Sequence, residues 1–192
     1  YKIIWQNVLI AETINWIKKP CVIKTGKYKG YFSSATSLKN GLSNKGECEC
    51  DDQVNPLEIP AFVIPRGNNL VKNYGAAVGD LVVAYNPKNS KLVYAIINDE
   101  GPNDKLGEGS VLLNMILLDS TSFPKTKKET YKLATRNDII ITIIPNSKNY
   151  NLLKPYSFEN INARVYQKLK DFGFETEQEF IDFILKNHNK LN

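Results

Sequence analysis

Residues 81–97 read LVVAYNPKNSKLVYAII, and this stretch decides the fold class that the sequence predicts. Leu81–Tyr85 and Lys91–Ile97 are rich in the β-branched and aromatic residues that favour strands. Between them, Asn86–Ser90 contains the Asn, Pro and Ser residues that favour turns. The stretch therefore predicts a β-hairpin.

Three further apolar segments predict strands that complete a mainly β body. Ala61–Ile64 is closed by Pro65, and Asp138–Ile144 is apolar enough to be buried on both faces of a sheet. Ser110–Leu118 has the same apolar character and is predicted as another strand. Together with the hairpin, these segments place the β body at residues 1–145.

After this body the pattern changes from strands to helices. One amphipathic helix is predicted from apolar residues at three- and four-residue steps: Phe158, Ile161, Val165, Leu169 and Phe172. Thr176 and Glu179 have the spacing of a capping box, which predicts the start of a second helix. The apolar side of that helix holds Phe180, Phe183 and Ile184. We therefore expect residues 146–192 to form a helical appendage packed on the β body.

The composition is that of an ordinary globular protein, since 42% of the 192 residues are hydrophobic and 23% are charged. It excludes a disordered chain, a collagen and a coiled coil. The net charge is +5, but few of the basic residues are Arg, the side chain that forms bidentate contacts with bases and phosphates. We therefore expect no nucleic-acid partner. We also expect no membrane span, because no apolar run approaches the roughly 20 residues that a spanning helix needs.

The cysteines and the single histidine restrict the chemistry further. Three cysteines allow at most one internal disulfide, and the sequence leaves open whether Cys21 pairs with Cys48 or with Cys50. Cys48 and Cys50 lack the second ligand pair of a zinc site, and His188 lies on a polar C-terminal tail. These positions disfavour zinc, a Cys–His nucleophile and a Ser–His–Asp triad. We expect neither a metal nor a cofactor.

Acidic side chains are concentrated in the middle of this otherwise basic chain. Residues 51–119 hold nine acidic and five basic residues. Four of these acids follow the second strand of the hairpin: Asp99, Glu100, Asp104 and Glu108. Glycoside hydrolysis uses two carboxyl groups that face each other across a cleft, one protonated and one ionised. A carboxylate cluster also suits calcium, and a solvated acidic turn is the simplest alternative, so the spacing alone leaves three interpretations open.

Several segments around these carboxylates form an ordered set. Upstream lie Gly30–Leu38, with its aromatic and Ser/Thr residues, and Val54–Pro65. Then come a Gly-Asp-led strand, Val78–Val83, a strand that ends in an acid, Leu92–Asp99, and a Gly-Glu-Gly-Ser segment before an apolar run, Gly107–Leu113. In content and order this set resembles the chitosanases of glycoside hydrolase family 75.

The resemblance implies a mainly β fold, namely a six-stranded double-psi β-barrel with appended C-terminal helices, α+β overall. It also implies an inverting endo-hydrolase that cleaves the β-1,4 bonds of chitosan or a related glucosamine polymer. Glu108 lies at the position of the general acid and Asp99 at that of the general base, and the two roles could be exchanged. The residues expected to bind the sugar chain are Tyr31, Ser33, Thr36, Asn55, Tyr94, Asn98 and Glu100.

The same resemblance leads us to expect a secreted or extracytoplasmic monomer whose leader has been removed, since the chain begins at Tyr1. Two alternatives stay open. The first is a double-psi barrel enzyme that acts on peptidoglycan or another cell-wall glycan. The second is an inactive carbohydrate-binding protein, because Asn55 replaces an expected Asp and the residues after Asp99 differ from the family's turn.

Overall fold

A computed structural model describes most of the chain, and the account of the fold is confined to that part. The described residues are 11–14, 17–31, 35–44, 48–103, 105–135, 138–149 and 155–188. Within them, only the backbone is described for residues 11–20, 127 and 149.

The described strands form two sheets. A small antiparallel sheet pairs β1 (Ala11–Ile14) with β2 (Ile17–Pro20). The main sheet consists of β3 (Ala61–Pro65), β4 (Leu81–Asn86), β5 (Lys91–Gly101), β6 (Glu108–Gly109) and β7 (Ile140–Ile144). Its strand order is β6-β3-β5-β4-β7, and it is mixed, because β3 and β5 are parallel while the other pairs are antiparallel.

The predicted hairpin is confirmed at the centre of this sheet. β4 and β5 pair from Leu81 opposite Ile96 to Asn86 opposite Lys91. Every residue of β4 is buried, because β4 has a strand on each side and a helix layer on each face. β5 continues beyond the predicted end at Ile97 to Gly101, and this extension carries Asp99.

Helices cover both faces of the main sheet. The helices are α1 (Leu70–Asn73), α2 (Val111–Leu117), α3 (Lys127–Lys132), α4 (Phe158–Asp171) and α5 (Glu177–His188), with short 3-10 turns at Cys50–Asp52 and Ser147–Asn149. Alternate residues of β4 point to opposite layers. Leu81, Val83 and Tyr85 pack with α4 and α5 on what we call the α4 face. Val82 and Ala84 pack with α2 on what we call the α2 face.

The prediction of a six-stranded double-psi β-barrel is wrong. The main sheet is open, since its order begins at β6 and ends at β7, and these two strands do not pair within the described residues. A barrel requires every strand to have neighbours on both sides. β6 has only two residues, and the segment predicted to supply another strand, Ser110–Leu118, is not a strand. The fold is an open mixed sheet with helices.

The Ser110–Leu118 segment forms helix α2, and its burial pattern explains why it resembles a strand. Leu113 and Leu117, four residues apart, pack against the sheet, while Val111 and Met115 pack against a second cluster with Leu57. Two helical stripes offset by two residues bury every second side chain, which is the period of a strand. Ser110 begins the helix, because its Oγ accepts a hydrogen bond from Leu113 N at 3.2 Å.

The two C-terminal helices form where they were predicted, but two residues of their predicted apolar sides are exposed, Phe172 by 56% and Phe183 by 51%. Ile161, Val165 and Leu169 are buried against the sheet. In the capping box, Glu179 N donates to Thr176 Oγ1 at 3.2 Å and Thr176 N donates to Glu179 Oε2 at 3.3 Å. Phe172, predicted in the buried stripe, is 56% exposed, because α4 ends at the preceding residue.

The prediction that Asp138–Ile144 is buried on both faces is only partly correct. The segment forms strand β7, but its residues are half-buried except Ile144. β7 is an edge strand, so one long side of it has no neighbouring strand within the described part of the chain.

The cysteine pairing that the sequence left open is between Cys21 and Cys48, which closes a loop with a sequence separation of 27. Such a loop stabilises the fold by about 3–4 kcal/mol in the chain-entropy account. Cys50 stays outside this bond. Among the described helices, none is long and apolar enough to cross a membrane.

Candidate functional site

The candidate site begins at an irregularity in β5. Phe62 on β3 lies opposite Ile97, but the next residue, Val63, lies opposite Asp99, so Asn98 is an extra residue in β5. Such a bulge bends a strand and changes the direction of the side chains that follow it. It places Asp99 beside Val63, on the face of the sheet opposite to Phe62.

The second carboxylate, Glu108, lies on the other side of Val63. Val63 lies opposite Glu108 of β6 in the antiparallel pair β3–β6. Residues that are directly opposite each other on neighbouring strands share a face of the sheet. Asp99 and Glu108 therefore flank Val63 in one row across three strands, on the α4 face.

The side chain of Glu108 reaches back across β3 toward β5. A Cβ atom placed on Gly101 would lie 3.1 Å from Glu108 Oε2 and 3.1 Å from Val63 Cγ1, so glycine leaves the space that the carboxyl group occupies. Gly101 is two residues beyond Asp99 on β5. At the rise of a β-strand, the Glu108 carboxyl group is therefore offset from Asp99 by about 7 Å along the strand.

The surroundings of Glu108 change its pKa. Burial raises the pKa of Glu108, and the negative charge of Asp99 raises it further, while Lys105 lowers it. Asp99 is 8% exposed. A protonated Glu108 beside an Asp99 carboxylate is the division of roles that acid and base catalysis requires.

Asp99 is held by a residue that the sequence analysis did not select. Ser37 N donates a hydrogen bond to Asp99 Oδ1 at 3.2 Å, and Ser37 Oγ makes a short hydrogen bond to the same oxygen. The neighbouring Leu38 N donates to Asn98 O at 2.9 Å. The loop at residues 36–40 is thus attached to the bulge, and among the described residues these hydrogen bonds involve Asp99 Oδ1 and not Oδ2.

Two of the predicted sugar-binding residues lie close to the pair but serve the framework. Thr36 is buried, its N donates to Gln53 Oε1 at 3.1 Å, and its Oγ1 accepts from Val54 N at 3.2 Å. Asn98 is the buried bulge residue, and its Oδ1 has no hydrogen-bond partner among the described residues. Thr36 therefore fixes the loop that holds Asp99, whereas Asn98 contacts that loop through its backbone oxygen.

Two other predicted residues contact groups away from the carboxylate pair. Tyr94 lies five residues before Asp99 on β5, and its hydroxyl donates to Glu177 Oε1 of α5 at 2.6 Å. Glu100 forms an ion pair with Lys72 of α1, with 2.6 Å between Oε1 and Nζ.

For two of the remaining predicted residues, Tyr31 and Asn55, the contacts that the structure shows are with residues outside the pair. Tyr31 packs edge-on against Tyr28, with the ring centroids 6.3 Å apart. Asn55 is buried, and its Oδ1 accepts from Leu57 N at 3.1 Å, which stabilises a turn. Ser33 lies outside the described residues. The structure therefore brings together Asp99 and Glu108 with Asn98 and Ser37.

No group of three or more His, Cys, Asp or Glu side chains within the described ranges is arranged to hold a metal ion. No known protein-family model matches the chain, and no curated protein matches it. The resemblance to glycoside hydrolase family 75 therefore stays a prediction, and the function is argued from the geometry of the Asp99–Glu108 pair.

Proposed function

We propose that the protein is an inverting glycoside hydrolase in which Glu108 is the general acid and Asp99 the general base. The observation that carries this proposal is the row of residues across β5, β3 and β6, in which both carboxyl groups flank Val63. Paired carboxyl groups in different environments are the machinery of this reaction class.

The spacing of the pair supports inversion. Inverting enzymes keep their carboxyl groups about 6.5–9.5 Å apart, which leaves room for a water molecule, whereas retaining enzymes keep them about 5–5.5 Å apart. The Glu108 carboxyl group lies level with Gly101, about 7 Å along β5 from the backbone of Asp99, and an offset of this size leaves room for the water that inversion requires.

The environments of the two groups support the assignment of acid and base. Burial and the charge of Asp99 raise the pKa of Glu108, which favours the protonated form that a general acid needs in order to donate a proton to the glycosidic oxygen. Ser37 occupies Asp99 Oδ1, so Oδ2 is the atom that accepts a proton from water. That water attacks the anomeric carbon while the bond to the protonated leaving oxygen breaks.

The proposed substrate is chitosan or a related glucosamine polymer. Four segments of the ordered set meet at the site, since they contribute in turn Ser37, Val63, Asp99 and Glu108. The excess of acidic residues in 51–119 also suits a cationic polymer. The disulfide supports a secreted or extracytoplasmic location.

The test is the release of reducing ends from partly deacetylated chitosan. We expect Glu108→Gln and Asp99→Asn each to lower kcat by about 10²–10⁴-fold, because each variant removes one proton-transfer group. The matched controls are Glu159→Gln, an exposed glutamate on α4, and Asp119→Asn, an exposed aspartate paired with Lys91. Both controls should retain wild-type turnover.

The configuration of the first product provides an independent check. Inversion of a β-1,4 bond gives the α-anomer first, which proton NMR resolves before mutarotation. Initial formation of the β-anomer would contradict the proposed mechanism. Cleavage of cell-wall glycan without chitosan would change the substrate, and binding of chitosan without cleavage would contradict the enzyme assignment.

A further inference from the structure

The α2 face of the sheet contains a cavity whose lining includes one member of the carboxylate pair, Glu108, but not Asp99. Its volume is about 910 Å³, and it lies between the sheet, α2 and α3. Its floor is apolar: Phe62 comes from β3, and Ile139, Ile141 and Ile143 come from β7 and the residue before it. The volume lies within the usual range for small-molecule sites.

The cavity is long as well as apolar. β3 and β7 are separated by three strand spacings, which amounts to about 14 Å. Leu113 and Leu117 of α2 line one wall, and Leu133 and Ala134 after α3 line another. A cavity of this length with aliphatic walls suits an extended alkyl chain.

The rim of the cavity differs from its floor, because it combines exposed apolar residues with two charged ones, Lys105 and Glu108. Leu106 is 61% exposed and Tyr131 is 56% exposed, although both line the cavity. Lys105 lies beside them in the lining. Exposed large apolar side chains at an opening are a sign of a binding surface.

The helix that forms this rim adds positive charge. α3 and the residue before its N-cap present exposed lysines at 125, 128 and 132. Glu129 is the sole acid in residues 120–135, and its Oε2 already accepts a hydrogen bond from Lys125 N at 2.7 Å. Lys105 and the three lysines on and beside α3 outnumber the two acids, Glu108 and Glu129, so this region favours an anionic group, whereas the floor favours a hydrocarbon.

We propose that this cavity binds an anionic amphiphile, a single alkyl chain that ends in a carboxylate or phosphate. The chain lies along Phe62, Ile141 and Ile143, and the head group lies at the lysine-rich rim. The inference is independent of the hydrolase assignment, because its test measures binding to the intact chain without any turnover.

The first measurement is isothermal titration of the full chain with sodium octanoate, decanoate and dodecanoate below their micelle concentrations. We expect each added methylene to tighten binding about two- to fourfold, as burial of a CH₂ group predicts. Dodecyltrimethylammonium, with the same chain and the opposite charge, should bind at least about tenfold more weakly. Equal affinity for the two head groups, or no dependence on chain length, would overturn the proposal.

Variants then locate the site. Ala134→Trp places a large side chain in the cavity at an exposed position, and we expect it to weaken dodecanoate binding at least about tenfold. Ala163→Trp, at an exposed position on α4, is the matched control and should bind as wild type does. Leu106→Glu adds a negative charge at the exposed rim without touching the core, and it should also weaken binding. Unchanged dodecanoate binding in both Ala134→Trp and Leu106→Glu would refute the proposed site.

Two further comparisons test the role of the α3 lysines and identify the source of the ligand. Lys132→Gln, in the last turn of α3, should weaken dodecanoate binding about threefold, and Lys186→Gln, in the last turn of α5, should not. Sedimentation with phosphatidylcholine vesicles, with and without phosphatidylglycerol, identifies the source of the ligand. Retention by the anionic vesicles that Ala134→Trp abolishes identifies a membrane lipid, and dodecanoate binding without retention identifies a free acyl carboxylate.

Discussion

The two faces of the main sheet show how helix length decides whether an apolar surface is closed. α4 has 14 residues and is about 21 Å long, whereas α2 has seven residues and is about 10 Å long. α4 packs against β4 and β5, and α5, with 12 residues, packs against the edge strand β7. On the other face, α2 packs against β3, β4 and β5.

The difference is visible in the burial of matching residues. On the α4 face, Ile161, Val165 and Leu169 are almost completely buried against the strands. On the α2 face, Ile141 and Ile143 remain half-buried at the edge strand and line the cavity. Both faces are aliphatic, so the open cavity follows from the shorter helices that cover the α2 face and not from a lack of apolar residues.

The largest expected effect tests this contrast directly. Ile161→Ala removes a fully buried side chain from the closed face and should lower the free energy of unfolding by about 2–5 kcal/mol. Ile141→Ala makes the same change in a half-buried residue beside an existing cavity and should lower it by about 1 kcal/mol. Urea titration of both variants measures the two losses. Equal losses would show that the two faces are closed to the same extent.

A second comparison uses the residues that begin α2 and α4. Ser110 Oγ accepts from Leu113 N and from Ala61 N, and donates to Ile59 O at 3.0 Å, so it joins the helix to β3. Ser157 Oγ accepts from Asn160 N at 3.2 Å. We expect Ser110→Ala to lower the free energy of unfolding by about 2–3 kcal/mol and Ser157→Ala by about 1 kcal/mol. Thermal unfolding checks the order, and a larger loss in Ser157→Ala would contradict the role of Ser110 as a joint.

The smallest expected effect is a change in melting temperature when Glu108 is replaced. The pKa of Glu108 is higher in the folded protein than its ordinary value of 4.5, so the fold favours the protonated carboxyl group. Below pH 4.5 this stabilisation is complete, and it is lost as the pH rises through the pKa of the folded state. Glu108→Gln removes this loss. At pH 7 the variant should therefore melt roughly 1 °C above wild type, a small gain because the group is half-exposed, and at pH 4 the gain should vanish.

A control of opposite sign is available in α3. The hydrogen bond from Lys125 N lowers the pKa of Glu129, so its contribution is present above 4.5 and is lost as the pH falls. Glu129→Gln should therefore melt below wild type at pH 7, and this difference should also vanish at low pH. A variant of Glu108 that melts below wild type at pH 7 would contradict the raised pKa.

Local sequence patterns predicted the elements that have one buried side or a strong turn. The hairpin of β4 and β5 and the capping box at Thr176 were predicted because neighbouring residues determine them. α2 was predicted as a strand because it has two buried sides, and its two stripes together imitate the alternation of a strand. A local pattern does not distinguish a strand from a helix that is buried on two sides. The second buried side of α2 forms only when Leu57 and the sheet pack against the helix.

The candidate site was predictable in part for the same reason. Asp99 and Glu108 belong to one acidic loop, so the sequence shows them together. Ser37 lies 62 residues from Asp99, and no spacing rule links the two. The bulge at Asn98, which places Asp99 beside Val63, is likewise a property of strand pairing and not of the β5 sequence alone.

The sequence by itself determined the hairpin, the two C-terminal helices and the pair of carboxylates, because each depends on residues close together in the chain. The tertiary structure decided that the sheet stays open, that Cys21 pairs with Cys48, and that Ser37 holds Asp99. It also decided that a cavity remains on the α2 face. These features depend on which distant segments pack together and on how far each helix extends. Local sequence periodicity predicts neither of the two.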